Sequence, residues 1–336
     1  MNAPSRNRQV VLKSRPEGLP TPANFALLEG PIPEPSDDEV LVRVLWLSID
    51  PYMRGRMSAA KSYATPVPVG GVMVGGTVGK VLGSRDPRFI EGDLIVGPGG
   101  WQDFAAVPAR AARKVDPAVA PVSTALGVLG MPGMTAYVGL LDIGQPRAGE
   151  TVVVSAASGA VGSVVGQIAK IKQCRTVGIA GGPKKCEYVT RTLGLDACVD
   201  HHAPNFAEAL AAACPRGVDV YFENVGGAVQ NAVWPLLNQF ARIPVCGLIA
   251  QYNDTVPKPG PNFRSVLSKR LTVRGFIVGD HAPRWDDFFR DVSVWVREGR
   301  IKYREDIVEG LERAPEALIG QLQGRNFGKL LVRVAS

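Results

Sequence analysis

Histidine is scarce: His201, His202 and His281 are the only three in 336 residues. A catalytic zinc takes three protein ligands. No Cys–His constellation stands near the start of the chain, so no metal centre is expected. The adjacent His201-His202 pair follows a predicted strand, on which neighbouring side chains point to opposite faces. It reads as a loop pair near a cofactor ribose or as a solvated pair, not as two ligands of one metal. The five cysteines, Cys174, Cys186, Cys198, Cys214 and Cys246, include no C-x-x-C. An odd count without a framework points to a reducing compartment. The net charge is +7, yet no run of five basic residues occurs, so the stripe expected of a nucleic-acid binder is missing. Residues 119–141 and 151–169 carry no charge and are long enough to pose the question of a membrane span. Pro121 and Pro132 break the first, and a small-residue turn breaks the second. The start, Met1 to Ser14, is polar and basic, without the apolar core of a secretory signal. A cytoplasmic protein is expected, with neither nucleic acid nor membrane as partner.

A clear helical period is also lacking up to about Lys114. Residues 40–47 (VLVRVLWL), 70–81 (GGVMVGGTVGKV), 90–96 and 101–107 read as strands separated by Gly- and Pro-rich turns, the texture of a small antiparallel barrel. From Ala125 the texture changes. A helical stretch over residues 125–141, interrupted at Met131-Pro132-Gly133, leads into alternating elements. Strands are predicted at 151–155, 176–180, 197–199, 218–222, 242–248 and 271–278. Helices are predicted at 160–172, 184–193, 206–214 and 228–237. Six short buried strands with intervening helices make a doubly wound parallel sheet. The tail returns to a helix at 313–322 and a strand at 328–334, assigned to the first domain. The expected fold class is α/β: residues 126–298 form a Rossmann-type sheet, and residues 1–125 with 299–336 form a β-barrel domain.

The strongest motif is VVVSAASGAVG at residues 152–162. A buried strand enters a small-residue turn and opens a helix. A dinucleotide fingerprint wants three glycines there; here the places are Ala157, Gly159 and Gly162. Backbone N–H groups at the helix start would receive a pyrophosphate. The second strand selects the cofactor. An NAD site places a carboxylate about twenty residues past the motif. This chain has Gly181, Gly182, Pro183, Lys184 and Lys185 instead. Room plus positive charge suits a 2′-phosphate, hence NADPH. Glu223-Asn224-Val225-Gly226-Gly227 closes the fourth strand at the ligand-binding edge of such sheets, where Asn224 is a turn former or a cofactor ligand. No Ser-His-Asp or Cys-His set stands out.

Several motifs together carry a resemblance: SIDPYMRGRM at residues 48–57, GGVMVGGTV at 70–78, GMPGMTAY at 130–137, AASGAVGS at 156–163, ENVGG at 223–227, GLIAQYN at 247–253 and NFGK at 326–329. Their succession resembles the zinc-independent medium-chain dehydrogenase/reductases, and within them the leukotriene B4 12-hydroxydehydrogenase/prostaglandin reductase family, nearest its bacterial curcumin reductase branch. The resemblance implies a GroES-like domain built from both chain ends. It also implies hydride transfer from NADPH to the C=C bond of α,β-unsaturated ketones or aldehydes. Carried over by motif, Gly159, Ala160 and Val161 line the pyrophosphate, Lys185 meets the 2′-phosphate, and Asn224 and Asn326 contact the cofactor. Phe276 and Val278 flank the nicotinamide ribose; Tyr63 and Tyr252 line the substrate cleft. The prostaglandin reductase branch has Tyr after the Asp that ends the third strand. Here His201 follows Asp200, which sides with the bacterial branch. A homodimer is expected, joined at the last strand of the sheet, which is apolar and unpaired on one side. Two other activities fit the sequence: quinone reduction on the same scaffold, and nucleotide or RNA binding without turnover.

Overall fold

The computed structural model describes residues 6–335. Met1 to Ser5 and Ser336, which belong to the expected first domain and in part to the polar start, lie outside the described residues. In chain order the strands are β1 (Asn7–Leu12), β2 (Phe25–Gly30), β3 (Glu39–Ser48), β4 (Thr77–Ser84), β5 (Leu94–Gly97), β6 (Phe104–Pro108), β7 (Arg113–Lys114), β8 (Thr151–Ser155), β9 (Arg175–Ala180), β10 (Ala197–Asp200), β11 (Val218–Phe222), β12 (Leu237–Val245), β13 (Thr272–Gly275), β14 (Glu305–Glu309) and β15 (Lys329–Arg333). The helices are α1 (Tyr52–Arg56), α2 (Met131–Val138), α3 (Gly162–Ile171), α4 (Pro183–Glu187), α5 (Phe206–Ala213), α6 (Gly227–Val233), α7 (Arg264–Lys269), α8 (Trp285–Arg297) and α9 (Ala314–Leu322). No helix among the described residues is long and apolar enough to cross a membrane.

The chain divides into two compact units, one of Met1–Gly127, Glu305–Asn326 and Leu330–Ser336, the other of Val128–Arg304 and Phe327–Lys329. In the first, β3 carries the sheet. It pairs along its length with β4, and on its other side with β6 over Glu39–Arg43 and with β15 over Trp46–Ser48. One strand thus serves three neighbours, which curls the sheet into a barrel-like shape. Val42, Leu47, Met53, Trp101, Leu318 and Val332 meet in its core. Strand β15 comes from the far end of the chain and joins this sheet, where the sequence placed it. The return from the second unit falls at Arg304, later than the expected residue 299. Ile301 is buried, and Gln167 of α3 holds Lys302 by hydrogen bonds at both its N–H and its carbonyl.

The second unit holds a parallel sheet in the order β10-β9-β8-β11-β12-β13. That is the doubly wound order, with its switch point between β8 and β11. Every residue of β8 is buried. Three consecutive valines there each contribute about 1.5–3 kcal/mol by leaving water, and only a strand covered on both faces accepts such a run. Helix α2 starts at Met131, so Pro132 opens the helix instead of interrupting it: proline is tolerated in the first turn, where no N–H partner is needed. At the opposite edge β13 is shorter than the predicted 271–278, and its four residues are exposed.

Candidate active site

The turn after β8 is built by crowding. A Cβ on Gly162 would lie 2.3 Å from the carbonyl oxygen of Ala156, so only glycine lets α3 start this close to the turn. Gly159 meets only that same oxygen, at 3.2 Å, and its backbone is left accessible together with the half-buried Ala160 and Val161. The carbonyl of Ala156 also accepts the N–H of Gly159 at 2.9 Å. Ala156, not Ala157, takes the left-handed conformation, with φ 52°. Ala157 is buried, and its methyl sits 2.8 Å from the place a Cβ on Gly178 would occupy. The fingerprint glycine replaced by alanine at 157 is therefore a packing position, and the turn itself is carried one residue earlier.

The end of β9 is open. Gly182 has φ 91° and ψ 154°, a region nearly closed to other residues, and nothing lies within 4 Å of where its Cβ would be. Gly181 is needed for a different reason. Its Cβ would fall 2.8 Å from Nε2 of His202 and 3.0 Å from Nε2 of His201. Both imidazoles converge on this point, their rings 4.1 Å apart. The histidines stand in the turn beyond β10, which ends at Asp200, so the alternation of faces along a strand does not apply to them and their rings can approach. One oxygen of Asp200 accepts the N–H groups of Gly182 at 2.8 Å and His202 at 2.9 Å. Burial pushes the Asp200 carboxyl up, but these two donors hold it below the usual range. Burial and then the neighbouring His202 lower the pKa of His201. Lys185, half-buried on α4, contributes to that same lowering. No group of three or more His, Cys, Asp or Glu side chains able to hold a metal occurs among the described residues.

On the other side of β8, at the end of β11, lies a polar knot that the sequence named only as part of a motif. Glu223 is fully buried. Its Oε1 accepts from the hydroxyl of Ser155 at 3.1 Å and from the N–H groups of Val225 at 2.7 Å and Gly226 at 3.0 Å. Burial raises its pKa, and the donated hydrogen bonds oppose that rise. Asn224 donates its side-chain amide to the Ser155 carbonyl at 2.8 Å, and its N–H to the Ser155 hydroxyl at 2.8 Å. Its amide therefore does a turn former's work, clamping the ends of β8 and β11 together.

The remaining residues named by resemblance separate by unit. Phe276 follows β13 and packs edge-on against Phe222 at 6.3 Å and His281 at 6.0 Å. Val278 opens the short helical turn that follows. Tyr252 stands just past the turn Ile249–Gln251, its hydroxyl 3.0 Å from where a Cβ on Gly247 would be. These lie in the second unit with the two turns and the knot. Tyr63 belongs to the first unit and is 64% exposed. Asn326 is the last residue of the first unit before the strip Phe327–Lys329, whose Phe327 packs edge-on against Tyr188 at 5.2 Å.

Residues 8–115 match the family described as the N-terminal domain of oxidoreductase, and residues 160–294 match the family described as zinc-binding dehydrogenase. The chain belongs to the medium-chain dehydrogenase/reductase family, in the group that holds the curcumin and prostaglandin reductases. It is 54% identical over 336 residues to the NADPH-dependent curcumin reductase of Escherichia coli (strain K12), an alignment spanning 98% of this chain and 97% of that one. It is 40% identical, over 98% of both chains, to the NADP(+)-dependent 2-alkenal reductase of Nicotiana tabacum. The crystal structure of CurA in complex with NADPH from Vibrio vulnificus superposes with a TM-score of 0.93 at 53% identity, covering 98% of this chain and 99% of that one.

Proposed function

We propose that this protein reduces the C=C bond of α,β-unsaturated ketones and aldehydes with NADPH. The observation that carries this reading is the rim after β9: room at Gly182, two imidazoles converging on Gly181, two lysines, and no carboxylate at the strand end to accept from a ribose 2′-hydroxyl. It agrees with the NADPH named for the curcumin reductase and the CurA complex and with the 2-alkenal named for the tobacco relative. The cradle fits a dinucleotide, since the open backbone at Gly159 faces a place that Gly162 keeps tight from behind. In this reading Gly159, Ala160, Val161 and Gly162 receive the pyrophosphate, and Lys185 beside Gly181 receives the 2′-phosphate. Asn224, Phe276, Val278 and Asn326 take the places around the cofactor that the family assigns.

Bound NADPH supplies a hydride. The protein's part is to orient the acceptor and to stabilise the negative charge that grows on its carbonyl oxygen, through a donor aimed at that oxygen. Tyr252 is the residue assigned to this, and Tyr63 to the substrate wall. Replacing Tyr252 by Phe keeps the ring and removes the donor; turnover on an enone falls about 10²–10³-fold while NADPH affinity holds. Unchanged turnover and Michaelis constant would remove it from the mechanism. The whole reading is tested by following NADPH oxidation with a panel of enones, enals and quinones. Fast turnover confined to quinones, or none with any acceptor, would overturn it. A homodimer through the exposed edge of β13 belongs to the same proposal, and a monomer mass in light scattering at micromolar concentration would refute it.

A further inference from the structure

Cys186 and Cys198 are twelve residues apart in sequence and on different elements, one on α4 and one on β10, yet the thiol of Cys198 donates to the sulfur of Cys186 at 3.0 Å. Both are half-buried. Strand β10 is fixed, with Cys198 registered against Gly178 of β9. Helix α4 starts at Pro183 behind Gly182, which has φ 91° and nothing within 4 Å of where its Cβ would be, and it runs on as a π-turn over Tyr188–Thr192; its first turn, next to that glycine and carrying Cys186, is the part that gives. Lys184 and Lys185 immediately precede Cys186. We propose that Cys186 and Cys198 form an oxidation site, a dithiol that peroxides convert to a disulfide, and that the cross-link displaces Lys185 and weakens NADPH binding. The second half rests on the reading of Lys185 as the 2′-phosphate ligand.

The chemistry singles out this pair. The hydrogen bond from Cys198 lowers the pKa of the Cys186 thiol, while the same bond and burial raise that of Cys198. Cys186 is therefore the nucleophile, since the thiolate is the reacting form. The other thiols are pushed up by burial, those of Cys174 and Cys214 to about 11 and that of Cys246 to about 12. The Cys186 sulfur attacks one oxygen of the peroxide. An S–O bond forms, the O–O bond breaks, and with hydrogen peroxide the other oxygen leaves as hydroxide and is protonated to water. The sulfur of Cys198 then attacks that of Cys186. The S–S bond forms, the S–O bond breaks, and the oxygen leaves as water with the proton of Cys198. Two thiols lose two electrons and two protons, and hydrogen peroxide becomes two waters. A disulfide brings the sulfurs from 3.0 Å to about 2.0 Å and fixes the dihedral about their bond, which re-aims Cys186 and, in this proposal, the first turn of α4 with Lys185.

The test treats the reduced protein with stoichiometric hydrogen peroxide. Titratable thiols are expected to fall from five to three, and non-reducing peptide mass spectrometry should recover the Cys186–Cys198 cross-link. Fluorescence titration should show NADPH bound about three- to tenfold more weakly, as expected for a strained charge-assisted contact, with NADH affinity unchanged. Dithiothreitol should restore both readings, and Cys198→Ser should show neither change. If that variant does not fold, Cys186→Ser is the same control. Uncoupled Cys186 and Cys198 peptides after treatment would overturn the oxidation site. A formed cross-link with unchanged NADPH affinity would overturn its effect on the cofactor. Equal affinity for NADPH and NADH in the untreated protein would overturn the reading of Lys185 itself, before any peroxide is added.

Discussion

The carboxyl ends of β11 and β9 face the same side of one sheet and solve opposite problems. At the end of β11, Glu223 is sealed from water and spends one oxygen on three donors from Ser155, Val225 and Gly226. At the end of β9, nothing lies within 4 Å of where a Cβ on Gly182 would be, and two imidazoles converge on Gly181. The first arrangement ties the end of β8 to the end of β11 and fixes the turn that leaves β11. The second leaves Lys185 and His201 half-buried and His202 exposed, at the rim where the cofactor's 2′-phosphate is proposed. In the proposed reading rigidity and recognition are divided between two strand ends separated by β8, and substitutions should divide in the same way: stability at one end, affinity at the other.

The largest effect is expected at the knot. Glu223→Ala leaves the N–H groups of Val225 and Gly226 unmet, while the Ser155 hydroxyl keeps the Phe222 carbonyl at 3.3 Å; each unmet donor costs about 1–3 kcal/mol. A loss of about 3–4 kcal/mol is expected by urea unfolding, which is a large part of a typical stability. Glu223→Gln keeps an acceptor in place and should stay within about 1 kcal/mol. It should also change the pH profile. Burial raises the folded pKa of Glu223, so the folded state binds the proton more tightly than the unfolded one. The stability this contributes is fully present below the unfolded pKa. It is lost as pH rises through the folded value. The melting temperature of the unmutated protein should therefore decline across that window, and the decline should be shallower in Glu223→Gln. Identical slopes would show that the knot holds its charge without cost.

At the open end, Lys185→Ala should leave stability nearly unchanged. It should weaken NADPH by roughly 10- to 150-fold, the worth of one charge-assisted bond of about 1.5–3 kcal/mol. NADH should bind as before. A loss of stability comparable to that of Glu223→Ala, or equal weakening of both cofactors, would erase the distinction between the two strand ends.

What the sequence made legible follows from the same physics. Strands β8 and β11 were read with their observed limits because runs of buried valine, or of Val, Tyr and Phe, suit only a covered strand. Strands β1, β2 and β14 are not legible in the sequence; polar and charged residues interrupt NRQVVL and EDIVE, and the apolar part of FALLEG is only four residues long. Strand β12 begins at Leu237, five residues before the predicted Arg242, because Asn238, Gln239 and a Phe240 at φ 62° disguise its start. The glycines and lysines after β9 could be read as a recognition rim since their chemistry is local. The burial of Glu223, the convergence of the histidines on Gly181 and the meeting of Cys186 with Cys198 could not. Each depends on which elements the fold brings side by side.

The smallest effect concerns the turn after β8, the strand between those two ends, where adjacent alanines should respond with opposite signs. Ala156 has φ 52°, a conformation that costs an L-residue with a Cβ roughly 1–2 kcal/mol. Glycine removes that cost but adds chain entropy to the unfolded state, worth roughly 0.5–1 kcal/mol. The difference leaves Ala156→Gly more stable by about 0.5 kcal/mol. Ala157 has ordinary strain and a useful methyl, fully buried in the space that Gly178 leaves free. Ala157→Gly forfeits that burial and adds the same entropy, so a loss of about 1–2 kcal/mol is expected. Paired urea titrations of the two variants read the sign directly. Equal destabilisation by both would mean that the turn stores no strain at Ala156, and that the alanine standing in the fingerprint's first glycine position is its only departure from the pattern.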